Sequence, residues 1–224
     1  MEMKKDYAPE MVTAFIRLNG ATVGCVANRS EVYTDGEKTA TYDAALTAAG
    51  CEKAAAFVNF CNAFEIPVLT LVNVDGYKNC KCNEKKIAKA AARLTYAFAN
   101  ADVPKVTVVV GKANGTAGLT MNSKSIGSDI VYAWKNAKIG VMEAAPAVKI
   151  MYADEIAKAD NAAALINEKA AQYNEMQASA LAAAKRGYVD DIIEASETRQ
   201  RVAAAFEMLF TKREDRPSKK HGTI

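Results

Sequence analysis

The hydrophobic and polar positions near the start of the chain alternate with the period of a β-strand. Two β-branched segments, Thr13 to Leu18 and Thr22 to Ala27, are separated by Asn19-Gly20, a dipeptide typical of a tight hairpin turn. The next stretch, Arg29 to Ala49, is polar and predicts a loop with a turn at Asp35-Gly36. We therefore expect a β-hairpin followed by a loop.

The pattern changes in the middle of the chain. Apolar residues recur with helical spacing from Gly50 to Phe64 and again from Ile87 to Phe98, with prolines after both segments. Between and after them lie two continuous apolar runs, Val68 to Val72 and Val106 to Val110. Such runs are typical of strands buried on both faces. This alternation predicts βαβ units and a largely parallel sheet.

The last part of the chain is mostly helical. Short strands are predicted at Ile130 to Trp134 and Ile139 to Met142, before an Ala-rich helical stripe that starts at Ile156 and ends at Gly187. A final helix is predicted to begin at Ser196. Since no linker or repeat interrupts the sequence, we expect one α/β domain over residues 1–224, with C-terminal helices.

Composition narrows the classes of function. The chain has 224 residues and a net charge of +3, which does not call for a nucleic-acid partner. No apolar run reaches the roughly 18 residues of a membrane span, and the N-terminal segment lacks the apolar centre of a signal peptide. We therefore predict a cytoplasmic protein. Residues 1–10 are expected to be flexible, and residues 212–224 to form a polar tail.

Few side chains are candidates for ordinary catalysis or for binding a metal. The single histidine, His221, lies in the polar tail, and no metal site is expected. Five cysteines fit reduced thiols, and we interpret Cys80-Lys81-Cys82 as buried or loop thiols rather than as a zinc or redox site. Asp190-Asp191 is interpreted as a surface or capping pair, because adjacent residues of a strand point to opposite faces.

One turn stands out chemically. After the strand that starts at Val106 and is expected to stop at Gly111, a small-residue turn from Asn114 to Gly118 precedes a predicted helix. Free backbone N–H groups at such a junction favour an anionic oxygen. The turn lacks the Lys-Ser/Thr ending of a P-loop, and the chain has no Gly-x-Ser-x-Gly elbow. A tight connection without chemistry is the alternative.

Many segments together resemble one family. They are similar to the C-terminal half of the carboxyltransferase of biotin-dependent acyl-CoA carboxylases and decarboxylases, which includes propionyl-CoA carboxylase β chains and methylmalonyl-CoA decarboxylase α chains. The resemblance spans nearly the whole chain. Its most specific segments are Tyr132-Ala133-Trp134 and Arg186 to Ile193, supported by Lys53 to Phe64, Val72 to Tyr77, Lys112-Ala113, Ser123-Lys124, Glu197-Thr198-Arg199 and Lys212-Arg213-Glu214.

The resemblance implies a crotonase-like superhelix of ββα units. It also implies transfer of a carboxyl group between biotin, held on a separate carrier protein, and an acyl-CoA. Because the chain matches only the biotin-binding half, we expect the N-terminal, acyl-CoA-binding half to be a separate polypeptide. The family further suggests a homo- or hetero-oligomer with a hexameric core. A non-catalytic scaffold subunit of such a complex remains the alternative.

The resemblance also assigns a site to the turn. Two backbone N–H groups of the family stabilise the oxyanion of the biotin ureido group, and the matching residues here are Thr116 and Ala117. Thr116 stands where the family has Gly, and Gly118 where it has Tyr. The implied biotin and substrate pocket comprises Gly76, Tyr77, Gly115, Gly118 and Leu119.

Overall fold

The computed structural model describes residues 1–34, 36–159 and 161–214. Its strands are β1 (Glu2–Met3), β2 (Met11–Leu18), β3 (Ala21–Asn28), β4 (Glu31–Thr34), β5 (Glu37–Thr41), β6 (Ala45–Leu46), β7 (Val68–Val74), β8 (Gly76–Tyr77), β9 (Lys105–Asn114), β10 (Ile130–Trp134), β11 (Lys138–Gly140) and β12 (Asp191–Ile193). Its α-helices are α1 (Ala48–Ala63), α2 (Lys81–Asn100), α3 (Gly115–Thr120), α4 (Ala144–Met151), α5 (Ala153–Lys158), α6 (Ala162–Met176), α7 (Ala180–Lys185) and α8 (Thr198–Met208).

The main sheet has the strand order β1-β2-β3-β7-β9-β10-β12, and β11 pairs with the far end of β9. The first three strands are antiparallel, whereas every pairing from β3 to β12 is parallel. Helices α1 and α2 pack into the core on one face, and α8 packs on the other. The parallel strands are covered on both sides, which explains their continuous apolar sequences.

The predicted N-terminal hairpin is confirmed. Strands β2 and β3 pair from Met11 with Asn28 to Leu18 with Ala21, and both turn residues, Asn19 and Gly20, have positive φ. The predicted polar loop is wrong in part, because β4 and β5 form a second, exposed hairpin within it. Its strands face solvent, so they lack the apolar alternation that predicts a strand.

The first ten residues were expected to be flexible, but the structure packs them against the sheet. β1 pairs with β2, and the Met1 amino group donates to the carbonyl oxygen of Phe15 at 2.8 Å. The buried Lys53 of α1 donates to three backbone carbonyls of residues 7–11, the shortest at 2.7 Å to Met11. The helical spacing of apolar residues around Lys53 did not indicate that this lysine holds the N-terminal segment.

The C-terminal region differs from the expected long helix. It is divided into α5, α6 and α7, and α8 follows a 3₁₀ turn, so Ser196 is not its N-cap. Lys212, expected in a solvated tail, is only partly exposed and pairs with Asp129 at 3.0 Å. His221 lies outside the described residues. Among the helices described, none is both long and apolar enough to cross a membrane.

Candidate functional site

The candidate site is built where β9 passes into α3. The strand does not stop at Gly111 but continues to Asn114, and α3 begins at once with Gly115. Gly115 has φ +57°, and a Cβ at this position would lie 3.0 Å from the carbonyl oxygen of Val141, so glycine is required there. Positive φ therefore falls on Gly115 and not on Thr116, which enters the helix without backbone strain.

The first turn of α3 has free backbone donors. The N–H groups of the first turn of a helix have no acceptor within the helix, and Thr116 and Ala117 belong to this turn. The N-cap residue, Asn114, does not cap the helix with its side chain. Its amide instead donates to Asp75 Oδ1 at 3.0 Å. The N-cap side chain, which commonly accepts a hydrogen bond from the first turn of a helix, is thus held away from the N–H groups of α3.

Asp75 belongs to a charged cluster beside this turn. Its second oxygen accepts from Lys112 Nζ at 2.8 Å, and the same ammonium pairs with Glu143, the residue before α4. Asp75 and Glu143 raise the pKa of Lys112, and Lys112 lowers the pKa of Glu143, so Lys112 and Glu143 both stay charged at neutral pH. The sequence pattern showed Asp75 only as a strand end, because its partners lie far away in sequence.

A cavity of about 600 Å³ lies alongside α3. Four residues of the predicted site line it: Gly115, Thr116, Gly118 and Leu119. The Ala117 side chain is buried in the main core, so its contribution to a ligand is limited to the backbone. The other walls come from β9, β10, β11 and the C-terminal region, with Val109, Val131, Ile139, Tyr173, Arg186 and Tyr188 among them.

Gly118 allows α3 to lie directly against the end of β9. A Cβ on Gly118 would lie 2.7 Å from the carbonyl carbon of Ala113, and it would meet backbone rather than a movable side chain. This explains locally why Gly118 occupies a position where the resembled family has a bulky Tyr. The close approach fixes the helix relative to the strand.

Gly76 and Tyr77 do not line this cavity. They form β8, which pairs with β6. Tyr77 nevertheless contacts α3, because its hydroxyl lies 3.2 Å from Thr120 Oγ1, which in turn donates to the carbonyl oxygen of Thr116 at 2.9 Å. Tyr77 therefore supports α3 from outside the cavity. Gly76 is the other residue of β8.

A buried polar group that the sequence did not indicate holds the chain after α3. Asn122 has φ +57° and donates to Thr107 Oγ1 at 2.9 Å, and Thr107 donates back to the Asn122 carbonyl at 2.7 Å. Thr107 lines the cavity. These contacts fix the C-terminal end of α3 on the sheet, as the charged cluster and Gly118 fix its beginning.

A larger cavity of about 730 Å³ lies at another edge, between the β2–β3 turn and α8. None of the predicted site residues lines it. Asp190, interpreted as a surface or capping residue, accepts from Lys124 Nζ and from the Val131 N–H, both at 2.8 Å. It therefore joins β10 to the segment before β12 and is occupied by structural contacts.

Comparison with known proteins matches the chain and its fold to one family. The family model described as "Carboxyl transferase domain" matches residues 1–224. The chain is 41% identical over 225 residues to the methylmalonyl-CoA carboxyltransferase 12S subunit of Propionibacterium freudenreichii subsp. shermanii, covering 100% of this chain and 41% of that protein. It is 43% identical to the propionyl-CoA carboxylase beta chain of Saccharopolyspora erythraea, covering 40% of that protein.

Solved structures agree. The transcarboxylase 12S structure described as a hexamer assembly, with methylmalonyl-coenzyme A and methylmalonic acid bound, superposes with a TM-score of 0.90 at 42% identity, covering 99% of this chain and 41% of that one. The predicted crotonase-like fold is confirmed. This chain spans less than half the length of these relatives. With the family model matching from end to end, the chain belongs to the carboxyl transferase domain family.

Proposed function

We propose that this chain is the biotin-binding part of a biotin-dependent carboxyltransferase that acts on an acyl-CoA. One observation carries the proposal. The first turn of α3 presents N–H groups that have no acceptor among the described residues, beside a cavity of about 600 Å³, and the side chain of its N-cap donates to Asp75 instead. The chain has few side chains suited to catalysis, and at this place backbone N–H groups can bind a ligand oxygen instead.

The residues present fit a biotin ureido group. Its oxygen needs hydrogen-bond donors, which Thr116 and Ala117 provide through their N–H groups. Its ring system needs a partly apolar wall, and Leu119, Val141 and Ile139 line the cavity. Carboxybiotin, when bound, supplies the carboxyl group and leaves negative charge on the ureido oxygen.

The residues of the chain then have distinct roles. The N–H groups of Thr116 and Ala117 bind the oxygen that gains charge, and the partial positive charge of the helix N-terminus favours it. Asp75 keeps the Asn114 amide away from these donors, and Lys112 holds Asp75 in place. Gly118 and Tyr77 position α3. Each donor that meets the developing charge is worth about 2.7–4 kcal/mol in comparable sites.

The acyl-CoA is proposed from the relatives. The transcarboxylase 12S structure is described with methylmalonyl-coenzyme A bound, and the relatives are methylmalonyl-CoA and propionyl-CoA enzymes. Leu119 is 44% exposed at the cavity, so an apolar acyl group next to it would bury surface. We propose that the rest of the relatives' length, which includes the acyl-CoA-binding half, and a biotin carrier complete the enzyme in the cytoplasm.

Exposed apolar side chains support an oligomeric enzyme. Within the described residues, α5 and α6 have no buried residue, and large apolar side chains from 141 to 176 face solvent: Val141, Met142, Ile150, Met151 and Met176. An apolar surface of this kind is typical of protein contacts. Because the transcarboxylase 12S structure is described as a hexamer assembly, we propose that this region contributes to a similar assembly.

A binding experiment tests the site directly. Biocytin, a soluble biotin amide, is titrated into the ¹⁵N-labelled chain while the backbone amide resonances are recorded. The expected result is that Thr116 and Ala117 shift most, because their N–H groups receive the ureido oxygen. Saturable shifts confined to the cavity between the β2–β3 turn and α8 would refute the assignment.

An activity experiment tests the role of the donors. Thr116→Pro removes one N–H at a helix position that tolerates proline, and Thr116→Ala retains the N–H as the matched control. In the assembled enzyme we expect Thr116→Pro to lower the rate of carboxyl transfer by about 10²–10³, with Thr116→Ala near wild type. Full activity of Thr116→Pro would favour the alternative of a scaffold subunit.

A further inference from the structure

Two thiols that solvent can reach meet at the N-terminus of α2. Cys80 is the N-cap residue of this helix and Cys82 lies in its first turn, and their Sγ atoms are 2.9 Å apart. Cys82 is exposed and Cys80 is half-exposed, whereas the other three cysteines are buried in the core. We call Cys80 and Cys82 the thiol pair.

The distance between the sulfurs favours a bond between them over a shared metal ion. A disulfide needs the sulfurs at about 2.05 Å, so they must approach by about 0.9 Å from their 2.9 Å separation. Two thiolates on a tetrahedral zinc, each at about 2.3 Å, must instead separate to about 3.8 Å. Within the described residues, no group of three or more metal-binding side chains is present, so the pair has no further ligand nearby.

The two thiols are chemically unequal. The hydrogen bond from the Cys82 thiol lowers the pKa of Cys80, with further contributions from backbone N–H groups of the helix start and from the charge of Lys78. The same hydrogen bond raises the pKa of Cys82. Burial raises the pKa of the core thiols, to about 11 for Cys25. Cys80 is therefore the most nucleophilic thiol at neutral pH.

We propose that Cys80 and Cys82 form a reversible disulfide by exchange with a low-molecular-weight disulfide such as oxidised glutathione. The Cys80 thiolate attacks one sulfur of the oxidant, forms a mixed disulfide and releases one thiolate. Cys82 then loses its proton, attacks the Cys80 sulfur and releases the second thiolate. The pair is oxidised by two electrons and the oxidant is reduced to one thiol and one thiolate. The thiol carries the Cys82 proton, and the thiolate takes from water the proton that Cys80 released when it ionised.

The bond would close a very short loop, with only Lys81 between the cysteines. A short loop constrains the unfolded chain little, so such a disulfide gains little stability and is readily reduced. The neighbouring Asn83 is buried. Its side-chain oxygen accepts from the Ala48 N–H at 2.7 Å, and its side-chain amide donates to the Lys78 carbonyl oxygen at 2.8 Å. Oxidation therefore acts on the junction that sets the starts of α1 and α2.

Peptide mapping tests the proposal without any activity assay. The reduced chain is incubated with oxidised glutathione, free thiols are blocked, and the unfolded protein is digested with trypsin. Cleavage after Lys81 separates the two cysteines in the reduced protein. The expected result after oxidation is a linked pair of peptides, lighter by two hydrogens than their sum, that separates after treatment with a monothiol.

Single variants provide the controls. Because the thiol pair lies at the surface, Cys82→Ser and Cys80→Ser are expected to fold, which thermal unfolding verifies. Cys82→Ser should accumulate a stable mixed disulfide at Cys80, and Cys80→Ser should react with glutathione several-fold more slowly. Mixed disulfides on both cysteines of the unmutated chain without a link between them, or no reaction of either thiol, would overturn the proposal.

Discussion

Substitution of Gly118 by alanine gives a sharp test of how α3 is held. The added Cβ would lie 2.7 Å from the Ala113 carbonyl carbon, where ordinary contact begins at about 3.4 Å, so helix and strand must separate by about 0.7 Å. The neighbour is backbone and cannot rotate away. Overpacking of this kind costs about 1–3 kcal/mol of the free energy of unfolding.

Two alanine substitutions serve as matched controls. A Cβ on Gly140, which lines the same cavity, would make an ordinary contact at 3.4 Å with Ala178, and a Cβ on Gly76 would meet nothing within 4 Å. Neither residue has positive φ. Both controls are therefore expected to leave the free energy of unfolding within about 0.5 kcal/mol of wild type.

The assay is urea unfolding of the three variants and the unmutated chain, with backbone amide spectra recorded on each. Gly118→Ala should lower the unfolding midpoint without a change in slope, and it should shift the amide resonances of Thr116 and Ala117. A displacement near 1 Å at this site would also reduce carboxyl transfer, by about 10²-fold. If Gly118→Ala unfolds at the same urea concentration as Gly76→Ala, the proposed close packing of α3 is refuted.

Two further predictions concern stability. Lys53→Met leaves three backbone carbonyls near the N-terminus without their donor, so it should lower the free energy of unfolding by about 2–4 kcal/mol. The control, Lys85→Met, changes an exposed lysine and should leave the free energy of unfolding unchanged. Equal unfolding midpoints for the two variants would contradict this prediction. Burial raises the pKa of three core thiols from 9.0 to about 11 or 12, so the stability they contribute is full below pH 9 and is lost as the pH rises toward those values. The three thiols are those of Cys25, Cys51 and Cys61. Between pH 8 and pH 10 the free energy of unfolding, measured with urea, should fall by about 4 kcal/mol because of them. A variant with alanine at all three positions should show a correspondingly weaker dependence on pH.

Tertiary structure corrected the sequence prediction mainly where solvent or distant contacts decide the conformation. The apolar runs at Val68 and Val106 predicted buried parallel strands correctly, because burial on both faces leaves a direct trace in the sequence. The hairpin of β4 and β5 has no such trace, because both strands are exposed. Lys212 looked like part of a solvated tail, and only its contact with Asp129 shows otherwise.

The sequence by itself determined the order of the parallel strands and helices, the turn after β9 and the family to which it belongs, because these depend on local periodicity and on residues close together along the chain. Only the tertiary structure decided how the turn is held. It placed positive φ on Gly115, diverted the Asn114 amide to Asp75, and separated Gly76 and Tyr77 from the cavity. The contact between Cys80 and Cys82 is local, but the helical spacing predicted from Ile87 to Phe98 did not show that α2 starts at these two residues. Contacts between residues 30 to 40 positions apart leave no periodic pattern, so they become visible only when the sheet has brought their strands together.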